Sequence, residues 1–412
     1  MGVVMRFALY LALKYLKPKR SFTSVVTLIS ILGVVLGVAV VIIVRAVMTG
    51  FGDMWQEKIL AFKPHVTVTM PGGIITQEEA LSEWIEAIPE VTAVSPGIET
   101  RVLAEYGRRI VAPLIVGIDP DRVEGLMQVT NIVDGVFDLE GDSVVLGVDL
   151  AAEMQIGVGD TMLVYSPMNL VNPDEVYFPE ELVVRGIFNA GQRDFDSGFI
   201  LTSLAVGRDL MGLREGAYSI HVKTSKPQDL PAFARVVANI KAVVGDSFLV
   251  RTWHEVDRQL FNALAVEKNM MAILLMFITV VAIFCVTNTL IVITVQKSDE
   301  IGLLKALGFS GRQVMMTFVL HGWVQCIIGT VLGVITAVLI LHNLQHLVSI
   351  LAMVGVEVFP KQVYGLDSIP WRLVPWEVVQ VALMVIVFCT LASFIPARRA
   401  ARLDPMVALR KE

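Results

Sequence analysis

Four long stretches without a charged side chain constrain this chain more than any other feature. They span Ser21–Val44, Asn269–Gln296, Gln313–Val356 and Val378–Ala397. About 20 predominantly apolar residues form a helix long enough to cross roughly 30 Å of hydrocarbon. Every stretch reaches that length, and the third has room for one span and an outer extension. We therefore predict four transmembrane helices, a plan that argues against an ordinary soluble enzyme.

The distribution of charge predicts the orientation of these helices. Lysines and arginines precede the first stretch, lie between the second and third, and follow the fourth, but are sparse between the third and fourth. Such residues concentrate on the cytoplasmic side of a membrane. Residues 48–268 instead carry 17 Lys or Arg against 32 Asp or Glu. Both termini are thus expected inside, with an acidic domain outside.

These observations together predict the fold class. We expect an α-helical membrane protein with four transmembrane helices, N-in and C-in, and a large α+β exterior domain inserted between helices 1 and 2. The predicted segments are a cytoplasmic N-terminal segment at 1–20, helix 1 at 21–47, the exterior domain with stalk helices at both ends at 48–268, helix 2 at 269–296, a cytoplasmic coupling loop at 297–312, helix 3 at 313–342, an outer loop at 343–374, helix 4 at 375–396 and a cytoplasmic tail at 397–412.

The exterior segment mixes strand and helix patterns. Helical spacing continues from the first span to Leu60, and Pro64 then stops it. Further on, we predict two lobes that divide near Asp119. Strands are predicted at His65–Met70, Val91–Ala104, Arg109–Gly117, Ser143–Leu146, Thr161–Ser166, Val176–Phe188, Gly198–Leu201 and Ser219–Thr224, and helices at Gln77–Ile88, Leu204–Leu210 and Leu230–Val244.

Motifs for covalent chemistry are missing from the sequence. It has no Gly-x-x-x-x-Gly-Lys-Ser/Thr phosphate loop and no Gly-x-Ser-x-Gly nucleophile elbow. No His and Cys residues have the spacing of zinc ligands. His342 and His346 are four apart, which a metal would accept, but we favour a position at the outer membrane interface. We expect no catalytic residue, no metal and no cofactor in this chain.

Two pairs of small residues lie within the predicted spans. Gly33 and Gly37 are four apart in the first, and Gly329 and Gly333 are four apart in the third. This spacing lets helix backbones approach closely. We interpret both pairs as ordinary helix packing, while a dimer interface stays open as an alternative.

One segment of the exterior domain has the composition of a docking loop. Residues 167–174 read Pro-Met-Asn-Leu-Val-Asn-Pro-Asp and connect two predicted strands. Prolines and asparagines favour turns, and exposed apolar residues often mark interaction sites. A loop folded back on its own domain is the equal alternative. The candidate docking residues are Pro167, Met168, Leu170, Val171 and Pro173.

The loop between the second and third spans predicts a short amphipathic helix. Ile301, Leu304 and Ala306–Leu307 form an apolar stripe, acids occupy the first turn, and Gly308 follows the end. The acidic start disfavours an anionic lipid surface, so we predict a protein partner. The candidate contact residues are Glu300, Ile301, Gly302, Leu304, Lys305, Ala306, Leu307 and Gly308.

Three parts of the sequence resemble a known family. Residues 300–308, EIGLLKALG, look like the coupling helix of ABC-transporter permeases of the MacB/FtsX/Lol superfamily, and residues 396–410 resemble its C-terminal signature. Residues 12–16, 47–51 and 64–68 resemble the LolC/LolE permeases of the lipoprotein-releasing system. The resemblance covers the whole chain in length and topology.

The resemblance implies a role in the bacterial inner membrane, with the exterior domain in the periplasm. Two permease subunits, siblings or identical copies, would pair above a cytoplasmic ATPase dimer similar to LolD, which binds ATP and Mg. A lipoprotein would leave the bilayer and pass to a periplasmic carrier similar to LolA. The 167–174 loop lies about where LolC binds that carrier, a role that LolE lacks. No nucleic-acid partner is implied.

Lipoprotein acyl chains would need an apolar receiving surface where the stalks enter the membrane. Methionine suits variable chains because it is flexible and polarisable. The proposed acyl-chain contacts are Met48, Phe51, Met54, Phe261, Leu264 and Met271. For each of them, packing between protein segments is an equal alternative.

Two other functions stay open at this point. The chain would fit an FtsX-like transmitter of mechanical force that controls a cell-wall hydrolase, although such proteins have a much smaller insertion. A MacB-like export permease is the third hypothesis for the function, although MacB carries its own ATPase domain.

Overall fold

The computed structural model describes residues 22–127, 131–168, 178–353, 355 and 369–402. The chain divides into two compact units. The described part of the membrane unit comprises residues 22–53, 263–353 and 369–402. The β unit is formed by Met54–Asn262.

Four helices among the described residues are long and apolar enough to cross a membrane. They are α1 (Phe22–Phe62), α9 (Arg258–Gln296), α11 (Gly311–His342) and α13 (Pro375–Arg402). Helix α1 ends two residues before Pro64, and its residues 54–62 belong to the β unit. Two short helices complete this set, α10 (Ser298–Ala306) and α12 (Leu344–Met353).

The glycine pairs pack α1 between two neighbouring helices. A methyl group added at Gly37 would lie 2.9 Å from the Ala282 Cβ of α9, and one at Gly33 would lie 3.2 Å from Cys285. Gly329 and Gly333 of α11 face α1 equally closely, at Val34 and Val38. The prediction of ordinary helix packing is therefore confirmed, because these faces are already occupied inside the chain.

The segment before α13 crosses α1 between Ala46 and Asp53. The Arg372 N–H donates to the Ala46 carbonyl (2.9 Å), and the Arg372 guanidinium pairs with Asp53 (2.7 Å). A side chain at Gly50 would come within 2.5 Å of the Trp371 Cα. The contact therefore requires glycine at position 50.

The β unit is built on one mixed sheet. Its strand order is β12-β1-β11-β2-β5-β10-β7-β9-β8-β3-β4, and β6 pairs with β9. The strands are β1 (Val66–Thr69), β2 (Val91–Arg101), β3 (Leu103–Tyr106), β4 (Arg109–Val111), β5 (Leu114–Ile118), β6 (Ile132–Gly135), β7 (Ser143–Gly147), β8 (Thr161–Tyr165), β9 (Glu180–Phe188), β10 (Phe199–Ser203), β11 (Ser219–Thr224) and β12 (Leu249–Thr252).

Short helices cover this sheet. They are α2 (Glu78–Glu86), α3 (Val123–Leu126), α4 (Val148–Met154), α5 (Arg193–Gly198), α6 (Leu204–Leu210), α7 (Leu230–Val244) and α8 (Trp253–Val256). The α6 and α7 predictions are confirmed, whereas β6, β12 and α4 were not predicted. The predicted strand Arg109–Gly117 is divided, since Pro113 lacks an N–H for the ladder.

Three apolar cores lie on this one sheet, and the third joins α3 and α5 to strands β2, β5, β7 and β10. The first core joins α2 and α7 to strands β1, β11 and β12, and the second joins α4 and α6 to strands β7 to β10. Strand β2 pairs with β11 on one side and β5 on the other. Strand β2 has 11 residues and is hydrogen-bonded along both edges, so the sheet is continuous and is not interrupted at Asp119.

Candidate functional site

The short helix α10 ends in a defined cap. Gly308 has a φ of +95°, its N–H donates to the Lys305 carbonyl, and the Phe309 N–H donates to the Leu304 carbonyl. These two bonds form the Schellman arrangement that satisfies terminal helix carbonyls. The next helix, α11, starts three residues after Gly308 with a hydrogen bond from the Ser310 N–H to Gln313 (2.7 Å). The cap therefore fixes where α10 stops and how the chain turns back.

One face of α10 is anchored to the membrane unit. Ile301 is buried in a cluster with residues of α9, α11 and α13: Ile293, Val314, Phe318, Ala397 and Ala400. Lys305 donates from Nζ to the Ala401 carbonyl (2.9 Å) in the last turn of α13. A cation is favoured there by the partial negative charge at a helix C-terminus. These contacts hold α10 against three long helices.

The other face of α10 is exposed and partly apolar. Leu303 is 54% exposed and Leu307 is 69% exposed, and Glu300, Ala306 and Gly308 are also exposed. The structure thus divides the stripe predicted from the sequence. Ile301 and Gly302 face inward, Leu304 is half-buried, and Ala306 and Leu307 face outward. Leu303, which the periodicity analysis omitted, joins the outer face.

The proposed acyl-chain contacts are all half-buried. Met48 and Phe51 lie on the part of α1 in the membrane unit, as do Leu264 and Met271 on α9; Met54 and Phe261 belong to the β unit. Phe261 has its own protein partners, since its ring packs edge-on against Trp253 (5.0 Å) and His254 (4.6 Å). For Phe261, protein packing is therefore observed.

Only the start of the predicted docking loop is described. Pro167 and Met168 are half-buried, and the Met168 N–H donates to the Ser166 hydroxyl (3.1 Å). Leu170, Val171 and Pro173 lie outside the described residues. Phe178, which follows the loop, is 80% exposed. It was predicted as part of a strand, but β9 begins at Glu180.

A second cluster, which sequence patterns did not reveal, surrounds the end of α1 inside the β unit. Lys223 on β11 donates from Nζ to the carbonyls of Leu60 and Ala61, the latter at 3.1 Å. Lys223 is only 7% exposed. Burial lowers the pKa of its ammonium to about 8. We call Lys63, His65, Lys223 and Asp257 the helix-end junction.

His65 lies at the centre of this junction. Its Nδ1 accepts from the Thr224 N–H (2.9 Å), so Nε2 carries the proton and donates to the Leu60 carbonyl (3.1 Å). Burial, together with the nearby Lys223 ammonium, lowers the pKa of the imidazole to about 4. His65 is therefore neutral at physiological pH, and its hydrogen bonds to Thr224 and Leu60 fix its imidazole in a single tautomer.

The junction also receives the start of α9. Lys63 pairs with Asp257 at 2.8 Å, one residue before α9 begins. The backbone N–H of Trp253 donates to the His65 carbonyl (3.0 Å). An apolar contact lies beside it, where the Phe62 ring stacks on Phe195 at 4.3 Å. The sequence signal was a lysine within the predicted strand Ser219–Thr224, whose six residues are all buried in the structure.

Metal ligands do not cluster in the residues that the structure describes: no three His, Cys, Asp or Glu side chains are grouped for an ion. His342 and His346 are both exposed. The two sites described above are an exposed, partly apolar face of α10 and a hydrogen-bonded junction at the end of α1.

Two family profiles match the chain and define its class. The profile of the MacB-like periplasmic core domain matches residues 27–240, and that of the FtsX-like permease C-terminal region matches residues 272–405. The class is that of permeases that combine these two parts.

Full-length relatives narrow the assignment. The lipoprotein-releasing system transmembrane protein LolC of Xylella fastidiosa is 28% identical, with 98% of each chain covered. LolE of Haemophilus influenzae is 24% identical, with 95% of this chain and 96% of LolE covered. The macrolide export ATP-binding/permease protein MacB of Vibrio parahaemolyticus is 23% identical, but only 58% of that protein is covered. The chain belongs to the family of permeases with a MacB-like periplasmic core domain, and over its full length it is similar to the LolC and LolE proteins.

Proposed function

We propose that this chain is the transmembrane subunit of an ABC transporter that extracts lipoproteins from the outer leaflet of the inner membrane. It passes them to a periplasmic carrier, and a separate cytoplasmic subunit hydrolyses the ATP. Both termini are cytoplasmic and the β unit is periplasmic. The observation that carries the proposal is the similarity to LolC over 98% of both chains.

The outer face of α10 is the proposed docking surface for the ATPase. Its leucines are exposed, while its opposite face is fixed by Ile301 and Lys305 to the ends of three long helices. A protein that binds Leu303 and Leu307 would therefore displace α10 together with the helices that hold it. Mg and ATP bind to that partner, and in this chain α10 passes the partner's movement to the long helices.

The energetics of extraction explain why a motor is needed. Moving acyl chains out of lipid costs about 0.8 kcal/mol for each exposed CH₂ group. A lipoprotein with several chains thus requires both ATP and an apolar receiving surface. The proposed acyl-chain contacts are Met48, Phe51, Met54, Phe261, Leu264 and Met271, of which Phe261 also packs against Trp253. The 167–174 loop, with Phe178 beside it, is the proposed contact for the carrier.

Purification of the chain from its own membrane, with identification of all bound proteins, tests the proposal. We expect an ABC ATPase, a second permease subunit and lipoproteins. Co-purification of a cell-wall hydrolase without lipoprotein would support an FtsX-like transmitter instead. Recovery of neither lipoprotein nor ATPase would overturn the proposal. A Leu230→Glu variant is the control for nonspecific effects of a surface charge, because Leu230 is an exposed leucine far along the chain from α10. It should keep the ATPase that a Leu303→Glu and Leu307→Glu double variant loses.

A further inference from the structure

The end of α1 is satisfied by side chains of the β unit. A helix leaves its last carbonyls without partners inside the helix, and water normally takes them. Here the Leu60 carbonyl accepts from His65 and Lys223, and the Ala61 carbonyl accepts from Lys223. One ammonium therefore holds two consecutive carbonyls at the end of a helix that begins at Phe22.

The strand that supplies Lys223 lies inside the sheet, third from one edge. Strand β11 pairs with β1 on one side and with β2 on the other, and its six residues are buried. A displacement of the last turn of α1 would thus act on a strand that is fixed on both edges, not on a loop. Both hydrogen bonds join the Lys223 ammonium to carbonyls at the C-terminal end of α1.

The start of α9 is tied to the same place. The Lys63 ammonium contacts both carboxylate oxygens of Asp257 at 2.8 and 2.9 Å, and the His65 carbonyl accepts from Trp253. Residues at the ends of both long helices therefore share the junction. An apolar residue at position 223 would fill the space but would leave the Ala61 carbonyl without its observed donor.

We propose that Lys223 is a positioning residue that ties the last turn of α1 to β11, so that movement of α1 reaches the part of the molecule that handles lipoprotein. This inference rests on the proposed function in taking lipoprotein as the transported substrate. The contact between Lys223 and α1 concerns only whether the structural change caused by ATP binding extends to β11. The two are therefore separable by measuring structure and release in the same sample.

The test uses the complete transporter, with its cognate ATPase, in lipid nanodiscs. Hydrogen exchange of β11 and of α10 is measured with and without a nonhydrolysable ATP analogue, and lipoprotein release per ATP is measured alongside. In Lys223→Met we expect the ATP-dependent change at α10 to persist and the change at β11 to disappear. Release per ATP should fall about tenfold or more, as for loss of one hydrogen bond to a charged group. Lys223→Arg should restore both.

Arg208→Met is the matched control. Arg208 also donates to a backbone carbonyl of the β unit, that of Gly216 (2.9 Å), and pairs with Glu78, and neither of these partners lies on α1. It should lower stability while leaving the β11 response and the release ratio unchanged. Should Lys223→Met fail to fold, Lys223→Gln is measured instead; its shorter, neutral donor weakens the hydrogen bonds to Leu60 and Ala61, so a partial loss of the β11 response and of release per ATP is expected, and an unchanged response would overturn the tie.

Three results would overturn the tie. These are an unchanged β11 response and release ratio in Lys223→Met, an equal loss in Arg208→Met, or no ATP-dependent change at β11 in the native chain. A native chain that shows the β11 change but releases no lipoprotein would instead contradict the proposed cargo and leave the tie intact.

Discussion

Two lysines cap the C-terminal ends of two long helices, and the difference between them is instructive. Lys305 on α10 donates to the last turn of α13, and Lys223 on β11 donates to the last turn of α1. The chemistry is the same, but Lys305 is half-exposed and Lys223 is buried. Water screens the first contact and leaves α10 an open outer face. The second contact is enclosed, so losing it leaves a carbonyl with no replacement.

The largest effect is expected on the open side of this comparison. Leu303→Glu combined with Leu307→Glu should weaken binding of the ATPase at least about 100-fold, since docking would bury two carboxylates without partners in an apolar contact. The charges sit where the structure leaves both side chains exposed, so the chain should fold normally. Affinity of the detergent-solubilised chain for its ATPase measures this. Native affinity in the double variant would show that α10 is not the docking surface.

A pH effect is expected next, on the enclosed side. The pKa of His65 is about 4 in the folded chain and about 6.5 when unfolded, so the folded state binds fewer protons between these values. Stability from this group is complete above pH 6.5 and is lost as pH falls toward 4, by about 3 kcal/mol. Hydrogen exchange of β1 and β11 amides against pH measures it.

His65→Gln is the reference for that measurement. Because Gln does not titrate, the pH dependence of the difference between native chain and variant isolates His65 from other acidic and basic groups. A difference that stays constant from pH 7 to pH 4 would mean that His65 is not buried in its neutral form.

A smaller effect is expected from Lys223→Met. Loss of the donor to Ala61 should lower the free energy of unfolding of the β unit by about 1–2 kcal/mol near neutral pH, because a buried carbonyl loses its partner. The pKa of Lys223 is lowered to about 8, so the native chain gains stability as pH rises above 8. The deficit of the variant should therefore widen at pH 9 to 10. A deficit that narrows with pH would contradict the burial of this ammonium.

The smallest effect is expected from Lys305→Met. A half-exposed lysine at a helix end contributes less than about 1 kcal/mol, and water can replace it at the Ala401 carbonyl. Thermal unfolding of the membrane unit measures the change. A loss as large as that of Lys223→Met would remove the distinction between the two caps.

Local sequence patterns predicted helix α10 but did not reveal the contact between Lys223 and the end of α1. Ile301, Gly308 and the acids of α10 lie within one short segment, so spacing and capping rules located the helix. Leu60 and Lys223 are 163 residues apart, and no local period links them. The anchoring of Ile301 was missed for the same reason, because its partners come from α9, α11 and α13.

The membrane helices were predictable because hydrocarbon imposes one requirement on every residue of a span. The sheet order was not, because β2 pairs with β11 and β5 through long-range contacts that strand periodicity does not specify. Phe178 was assigned to a strand by its β-forming character, although the strand begins only at Glu180.

Reconstituted release tests the central claim most directly. The chain, its ATPase and any second permease are placed in lipid vesicles with a labelled triacylated lipoprotein, and the soluble carrier is added outside. Our account predicts that ATP transfers the label to the carrier, and that the Leu303→Glu and Leu307→Glu double variant does not. Equal transfer with and without ATP, or transfer by a complex that lacks this chain, would contradict it.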